Sequence, residues 1–308
     1  MTDKRWFKGN LHTHTKESDG DADPETIVRW FRNHDYDFLV LSDHNHRTIL
    51  DHGASGSQAG PLLIPGEEVS ALVQQGDAAH PVHIGAIGIE RYVEPINCDT
   101  LVETIQANVN AILGAGGIAS INHPNFRWAF DQTHLKQVVG AHLLEIFNGH
   151  PGVNLFGAPG KLSNEEIWDA VLSAGRVIWG VAVDDSHHYH DYHPLKANPG
   201  RGWVMVNAPD LSSKAIVDAM SEGSFYFSTG IDLKGLATEK DRVSIEIDQS
   251  RDFIYTTRFT SKHGVVLKES TGLSASYAIR GDEGYVRATV YSSSGQKAWT
   301  QPVFTGGK

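Results

Sequence analysis

Near the amino terminus His12 and His14 stand two apart, and Asp19 follows within Glu17-Ser18-Asp19-Gly20. In an extended strand residues i and i+2 share a face, so both imidazoles can reach one metal ion. Asp19, beyond a short turn, can reach a neighbouring ion. Such a pair also occurs on ordinary exposed strands. What sets this chain apart is how many more such side chains stand at or beside short apolar runs: His44, Glu68, His83, His123, Asp185 and His187. Imidazole and carboxylate donors suit zinc, manganese or iron, and the set exceeds what one ion needs, so two or three divalent ions are implied. Water held by two such ions has its pKa brought toward about 7, which supplies hydroxide at neutral pH. The expected chemistry is hydrolysis without a covalent enzyme intermediate. No nucleophile elbow, Walker loop or GxGxxG context competes with it. His46, His52, His134 and His142 read as ordinary surface or core residues, whereas His150, His188, His190 and His193 lie near the expected rim and could touch substrate.

The elements that must position these residues follow a strand-helix grammar. Asp23-Pro24-Glu25 supplies an N-cap and a proline at the first helical position, and Ile27, Trp30 and Phe31 mark one helix face. Phe38-Leu39-Val40-Leu41-Ser42 reads as a buried strand ending in Asp43-His44. Leu62-Ile64 leads to Gly66-Glu67-Glu68, and His83 opens another apolar segment. Leu101, Ile105, Val109 and Ile112 line a helix stopping at Gly114; the next strand ends in Asn122-His123-Pro124. Leu143–Phe147 ends in Asn148-Gly149-His150, Ser163-Asn164-Glu165-Glu166 is a capping box, and Val177–Val183 delivers Asp184-Asp185-Ser186-His187. About seven such repeats, with polar residues at strand ends, predict a parallel α/β barrel over residues 1–230. From about Ile231 the alternation of Val286, Ala288 and Val290 with Arg287, Thr289 and Tyr291, and turns such as Gly281-Asp282, predict a small antiparallel β-rich appendage over 231–308.

A chain of 308 residues with net charge −11 is poorly suited to sequence-independent nucleic-acid binding or to an anionic membrane surface. It remains compatible with a small anionic substrate, because bound divalent ions invert the local field. The one cysteine, Cys98, excludes an internal disulfide and reads as a half-buried side chain. Without an apolar segment before His12 or a run long enough to span a bilayer, the expected location is cytoplasmic. The sequence leaves the oligomeric state open.

His12-Thr13-His14 with Ser18-Asp19-Gly20, Ser42-Asp43-His44-Asn45, Gly66-Glu67-Glu68, His83, Asn122-His123-Pro124 and Asp185-Ser186-His187, in this order, resemble the motifs of the PHP (polymerase and histidinol phosphatase) superfamily. The resemblance covers roughly the first 230 residues and implies a distorted (β/α)7, TIM-like barrel carrying a di- or trinuclear metal site. It places His12, His14, Glu68 and Asp185 around a first ion and Glu68, His83 and His123 around a second, with Glu68 bridging. Asp19, His44 and His187 surround a third. Glu68 and Asp185 then hold the attacking hydroxide. Adjacent acids point to opposite sides of an extended chain, so one of each pair is expected to ligate; the Gly-x-Glu spacing selects Glu68 over Glu67, and the Asp-x-His spacing selects Asp185 over Asp184. Asp43 is expected to support its neighbours instead.

The superfamily's commonest activity implies a phosphoesterase acting on a small anionic phosphomonoester or phosphodiester. The loop Gly200-Arg201-Gly202-Trp203 and the tails around Gly281–Ala288 and Ala298–Pro302 resemble the carbaryl-hydrolase-like branch (CehA/McbA), which makes a carbamate or carboxylic ester hydrolase the alternative. A non-catalytic metal-binding module is a third reading. For substrate anchoring the expectation is Arg201, whose guanidinium can grip a phosphate or carboxylate, with Asn148 as a further hydrogen-bonding side chain.

Overall fold

The computed structural model describes residues 4–50 and 60–306; His52 lies outside the described residues. The first third of the chain contains β1 (Arg5–Asn10), α1 (Pro24–Arg32), β2 (Phe38–Leu39), β3 (Leu62–Leu63), β4 (Gly66–Gln75) and β5 (Ala78–Ile87). Next come α2 (Leu101–Gly114), β6 (Ile118–Ile121), α3 (Gln132–Leu135), β7 (Leu143–Asn148), α4 (Asn164–Ser173) and β8 (Trp179–Val183). Then follow β9 (Trp203–Ala208), α5 (Ser213–Ser221), β10 (Phe225–Ser228), β11 (Leu233–Thr238), β12 (Arg242–Ile247) and β13 (Tyr255–Ser261). The chain ends with β14 (Val265–Thr271), β15 (Ser274–Ala278), β16 (Tyr285–Ser292), β17 (Lys297–Thr300) and β18 (Val303–Phe304).

These strands form three sheets. One is five-stranded, β4-β5-β6-β7-β8; one is three-stranded, β11-β12-β15; the ten-stranded sheet runs β14-β13-β16-β17-β10-β9-β1-β2-β3, with β18 beside β16. Single bridges, Thr13 to Ser186 and His44 to Glu68, tie the edges of the first and last together. Both bridges lie where the metal-ligand candidates cluster.

The result is a mixed α/β architecture with several sheets, and the (β/α)7 barrel expected from the sequence is not what the sheets form. β4 and β5 pair antiparallel over their full lengths across a turn at Gly76-Asp77, with no helix between them. β9 is antiparallel to both β1 and β10. Among the described strands parallel pairing is confined to β1-β2-β3 and β6-β7-β8, with the bridges Thr13 to Ser186 and His44 to Glu68 also parallel. A short apolar run reads alike whether it is a parallel strand or one arm of a buried hairpin, so the alternation of elements was over-regularised.

Local signals were read more reliably. Asp23 has extended backbone before Pro24, and α1 buries Ile27 and Phe31. The Ser163 hydroxyl accepts from Glu166 N while the Glu166 carboxylate accepts from Ser163 N, the reciprocal cap expected at α4. Cys98 is half-buried. No helix among the described residues is long and apolar enough to cross a membrane.

Beyond residue 230, β13, β14, β16, β17 and β18 continue the ten-stranded sheet, because β17 pairs with β10 through Phe227 and Trp299, while β11, β12 and β15 form the separate three-stranded sheet. Their rings stack at 5.0 Å, and Trp299 joins the large core that also takes in α2, α4 and the five-stranded sheet. Phe304 contributes less, lying 39% exposed at the edge of Trp179. A second core forms between β12 and the β13-β16 face, around Val243, Ile245, Phe259 and Ala288.

Candidate metal centre

Glu68 stands at the middle of the site. It is fully buried on β4, and its Oε1 lies 3.2 Å from His12 Nε2, 3.2 Å from His123 Nε2 and 3.4 Å from His83 Nδ1. Its Oε2 lies 3.6 Å from His14 Nε2. Gly66 makes this approach possible: a Cβ there would sit 2.6 Å from Ala86 O and 2.5 Å from Val40 Cγ1. Glu67 points away and accepts from Val93 N at 2.7 Å. Burial pushes the Glu67 carboxyl up to about 7, although Val93 N and Arg47 counteract it.

His12 and His14 follow β1 and meet through their Nε2 atoms at 3.0 Å, each 3.3 Å from Asp185 Oδ1. Asp185 and His123 both carry positive φ, 49° and 22°, backbone that non-glycine residues seldom adopt and that turns their side chains inward. Asp184 faces the other way. It accepts from the backbone N–H groups of Gly200, Arg201 and Gly202 at 2.8, 2.6 and 2.9 Å, clasping that loop. Asp43 is likewise occupied, accepting from Thr15 N, Thr15 Oγ1 and Ser18 Oγ. Asp19 is exposed at the open side, 3.3 Å from His187 Nε2, 3.5 Å from His14 Nδ1 and 3.6 Å from His44 Nε2.

All nine side chains expected as ligands therefore converge, in four overlapping groups whose donor atoms lie within 4.8 Å of one another. These are His12-His14-Asp185, His12-Glu68-His123, His44-Glu68-His83 and His14-Asp19-His44-His187. The groups overlap more than the expected partition does: His83 falls with His44 and also lies beside His123 on Glu68 Oε1, and His14 is shared with the Asp19 group.

Electrostatics give the pocket its character. Burial works against charge on His12, but Asp185, Glu68 and Glu145 outweigh it and hold its pKa well above the ordinary value. The same contest raises His123 and His44, and lifts His187 to about 9 through Asp19 and Asp185. Burial wins at His14, reinforced by His187 and His12, and takes it down to about 4; His83 is lowered too, chiefly by burial. Glu68 and Asp185 are held well below the carboxylate range, since the surrounding imidazoles overcome the effect of burial. Carboxylates that demand positive charge thus face imidazoles too crowded to supply it uniformly. In addition, the buried Glu68 Oε2 and His83 Nδ1 have no hydrogen-bond partner. The Oε2 lies 2.9 Å from His44 Nδ1, but that nitrogen bonds Ser70 Oγ at 2.6 Å. Two orphaned lone-pair atoms among imidazoles and carboxylates are what a divalent-cation site of this donor set leaves when only protein atoms are counted.

Sequence reasoning missed Glu145. It lies buried on β7, with Oε1 2.6 Å from His12 Nδ1 and Oε2 accepting from His123 N and from Asn148 Nδ2, both at 2.8 Å. The signal was present: one acid inside the apolar run Leu143–Phe147 has to be partnered if the strand is buried. Asn122, whose Nδ2 donates to Glu68 Oε1 at 2.8 Å, was passed over beside His123.

The two expected substrate-anchoring residues are otherwise employed. Asn148 Nδ2 joins Glu145 to Asp185 Oδ2 at 3.1 Å, and its Oδ1 accepts from His150 N. Arg201 donates to Gly149 O, His193 O and Asn198 Oδ1, so its guanidinium fastens loops together. His150 is closer to the expected rim role: half-buried, it accepts from Gly152 N on Nδ1, which leaves the proton on Nε2, and its ring is 5.5 Å from His187.

No family model and no curated protein sequence matches the chain. Among solved structures, an amidohydrolase from Chromobacterium violaceum, with bound sulfate and no metal, is similar at 18% identity and TM-score 0.40, over 62% of this chain and 93% of that one. A two-domain protein from Bacteroides vulgatus, described as containing a predicted PHP-like metal-dependent phosphoesterase, is similar at 18% identity and TM-score 0.53, over 94% of this chain and 91% of that one. The chain and the Bacteroides vulgatus protein thus share a fold across both their lengths.

Proposed function

We propose that this protein is a metal-dependent hydrolase holding two or three divalent cations, and that its substrate is a small-molecule phosphate ester. The observation that carries the reading is the convergence of nine donor side chains in four overlapping groups, two of which share the buried carboxylate of Glu68. Phosphoesterase chemistry is favoured by the order of the PHP-like motifs and by the fold shared with the Bacteroides vulgatus protein. Divalent cations in such a site acidify water and polarise the bond under attack.

The chain's own residues set up that chemistry. A proton on His12 Nδ1, shared with Glu145, leaves the Nε2 lone pair facing the centre. Asn122 and Asn148 fix the rotamers of Glu68 and Asp185, while His150 offers an Nε2–H at the rim as a neutral donor to substrate.

The test is metal analysis of protein purified without chelator, paired with nitrophenyl phosphate, nitrophenyl phosphodiester and naphthyl carbamate substrates. At least two ions per chain and hydrolysis of a phosphate ester are expected. Hydrolysis of the carbamate alone would replace the phosphoesterase reading with the ester and carbamate one. Glu145→Gln is expected to weaken metal binding about 10- to 100-fold, because a neutral amide cannot support His12 as a carboxylate does. Competition with a chromogenic chelator measures this, and an unchanged affinity would remove Glu145 from the centre.

A further inference from the structure

Immediately after His123 and Pro124 the chain makes a 3-10 turn, Phe126–Trp128. Two consecutive non-glycine residues in it are left-handed: Arg127 at φ 52°, ψ 19°, and Trp128 at φ 54°. Such backbone is costly for residues with a side chain and persists where the surroundings enforce it. Here they do. Asn125 is buried, and its Nδ2 donates to Leu162 O at 2.8 Å and Asn154 O at 3.3 Å, while Asn154 Nδ2 returns a bond to Asn125 O at 3.1 Å.

What the enforced turn displays is specific. The half-buried Phe126 ring lies 5.3 Å from the His123 ring and 6.0 Å from that of His83, so it forms a wall directly beside the centre. The exposed Arg127 guanidinium sits 5.4 Å from the Phe126 centroid, and Lys161 Nζ sits 5.9 Å from that of Trp128. Among the described residues neither cation has a carboxylate within 4.0 Å. In a chain of net charge −11, a guanidinium on the ring that borders the carboxylate-rich centre, with a second cation at the Trp128 ring of the same turn, is a local reversal of sign.

Resting on the hydrolase reading above, we propose that Phe126, Arg127 and Trp128, with Lys161, form the subsite for the leaving group. The subsite favours a planar aromatic ring that carries a second anionic group. The ring packs on Phe126, as aromatic pairs do, and the anion faces Arg127 and Lys161.

The test is calorimetric binding to metal-loaded protein of three non-hydrolysable probes: methylphosphonate, phenylphosphonate and 4-carboxyphenylphosphonate. Affinity is expected to rise along that series, by about 5- to 10-fold at each step. Phe126→Leu should weaken both aryl probes about 5- to 10-fold and leave methylphosphonate unchanged. Arg127→Gln and Lys161→Gln should each weaken only the carboxylated probe, by about fivefold. Metal content and thermal midpoint, measured alongside, show that the variants fold. Equal affinity for all three probes, or variants indistinguishable from wild type, would overturn the subsite even if phosphate esters are hydrolysed. The expected probe pattern in a protein that hydrolyses no ester would instead overturn the hydrolase reading and keep the subsite.

Discussion

Glu68→Gln is expected to lower hydrolysis at least about 1,000-fold and to reduce the metal bound per chain, while the fold survives. The side chain changes little in shape but loses the charge at the junction of His12, His123, His83 and His14, all within 3.6 Å. Glu68 itself is fully buried, so no solvent replaces that charge. A loss of about 4 kcal/mol of stabilisation, ordinary for a metal-assisted step, corresponds to the stated factor. Glu67→Gln is the matched control. That carboxyl faces Val93 N and is pushed up to about 7 by burial, so a neutral amide resembles its protonated form and metal content should not change. Initial rates with the best substrate, alongside metal per chain by mass spectrometry, decide it. Activity within about tenfold of wild type would end the central role given to Glu68.

The second large effect concerns stability. Arg287 on β16 is 2% exposed and reaches across to α4, with Nε and Nη2 on the two Asp169 oxygens at 2.8 and 2.6 Å and Nη1 on Glu165 Oε1 at 3.0 Å. Thr289 Oγ1 and the Trp168 face, 4.9 Å away, complete the enclosure, and Tyr285 also donates to Asp169. Arg287→Met should therefore cost about 3–5 kcal/mol, since it strands two acids whose solvation has largely been removed. The triple variant Arg287→Met, Asp169→Leu, Glu165→Met should recover most of that loss, because both acids go with the guanidinium and only the part-exposed Lys297, 3.6 Å from Glu165, loses an ion pair. Denaturant midpoints at constant slope measure both. A single variant within about 1 kcal/mol of wild type would show that the ion pair does not clamp α4 to the carboxyl-terminal strands.

The same residue shows where reading the sequence went astray. Alternation along Val286–Tyr291 marks an antiparallel strand but not what covers its two faces: β16 is buried on both, because α4 covers the side that bears Arg287 and neutralises it with acids one helical turn apart. The carboxyl-terminal strands were legible as antiparallel; their continuity with the ten-stranded sheet through Phe227 and Trp299 was not. The β4-β5 hairpin was hidden for a related reason, because an apolar run carries no mark of the strand it will pair with.

Local chemistry, by contrast, was written along the chain. Residue types, the Gly-x-Glu and Asp-x-His spacings and the caps of α1 and α4 depend on neighbours within a few positions, so the sequence by itself determined which nine side chains are candidate donors and set Glu68 and Asp185 apart from their adjacent acids. Only the tertiary structure decided which donors share a group, that Glu145 stands behind His12, and that Asn148 and Arg201 brace the site. Those facts join separate segments of the chain, 22 positions apart for His123 and Glu145 and 133 for His12 and Glu145, and burial sets their energies: a carboxylate inside β7 is harmless only because His12 and His123 meet it there.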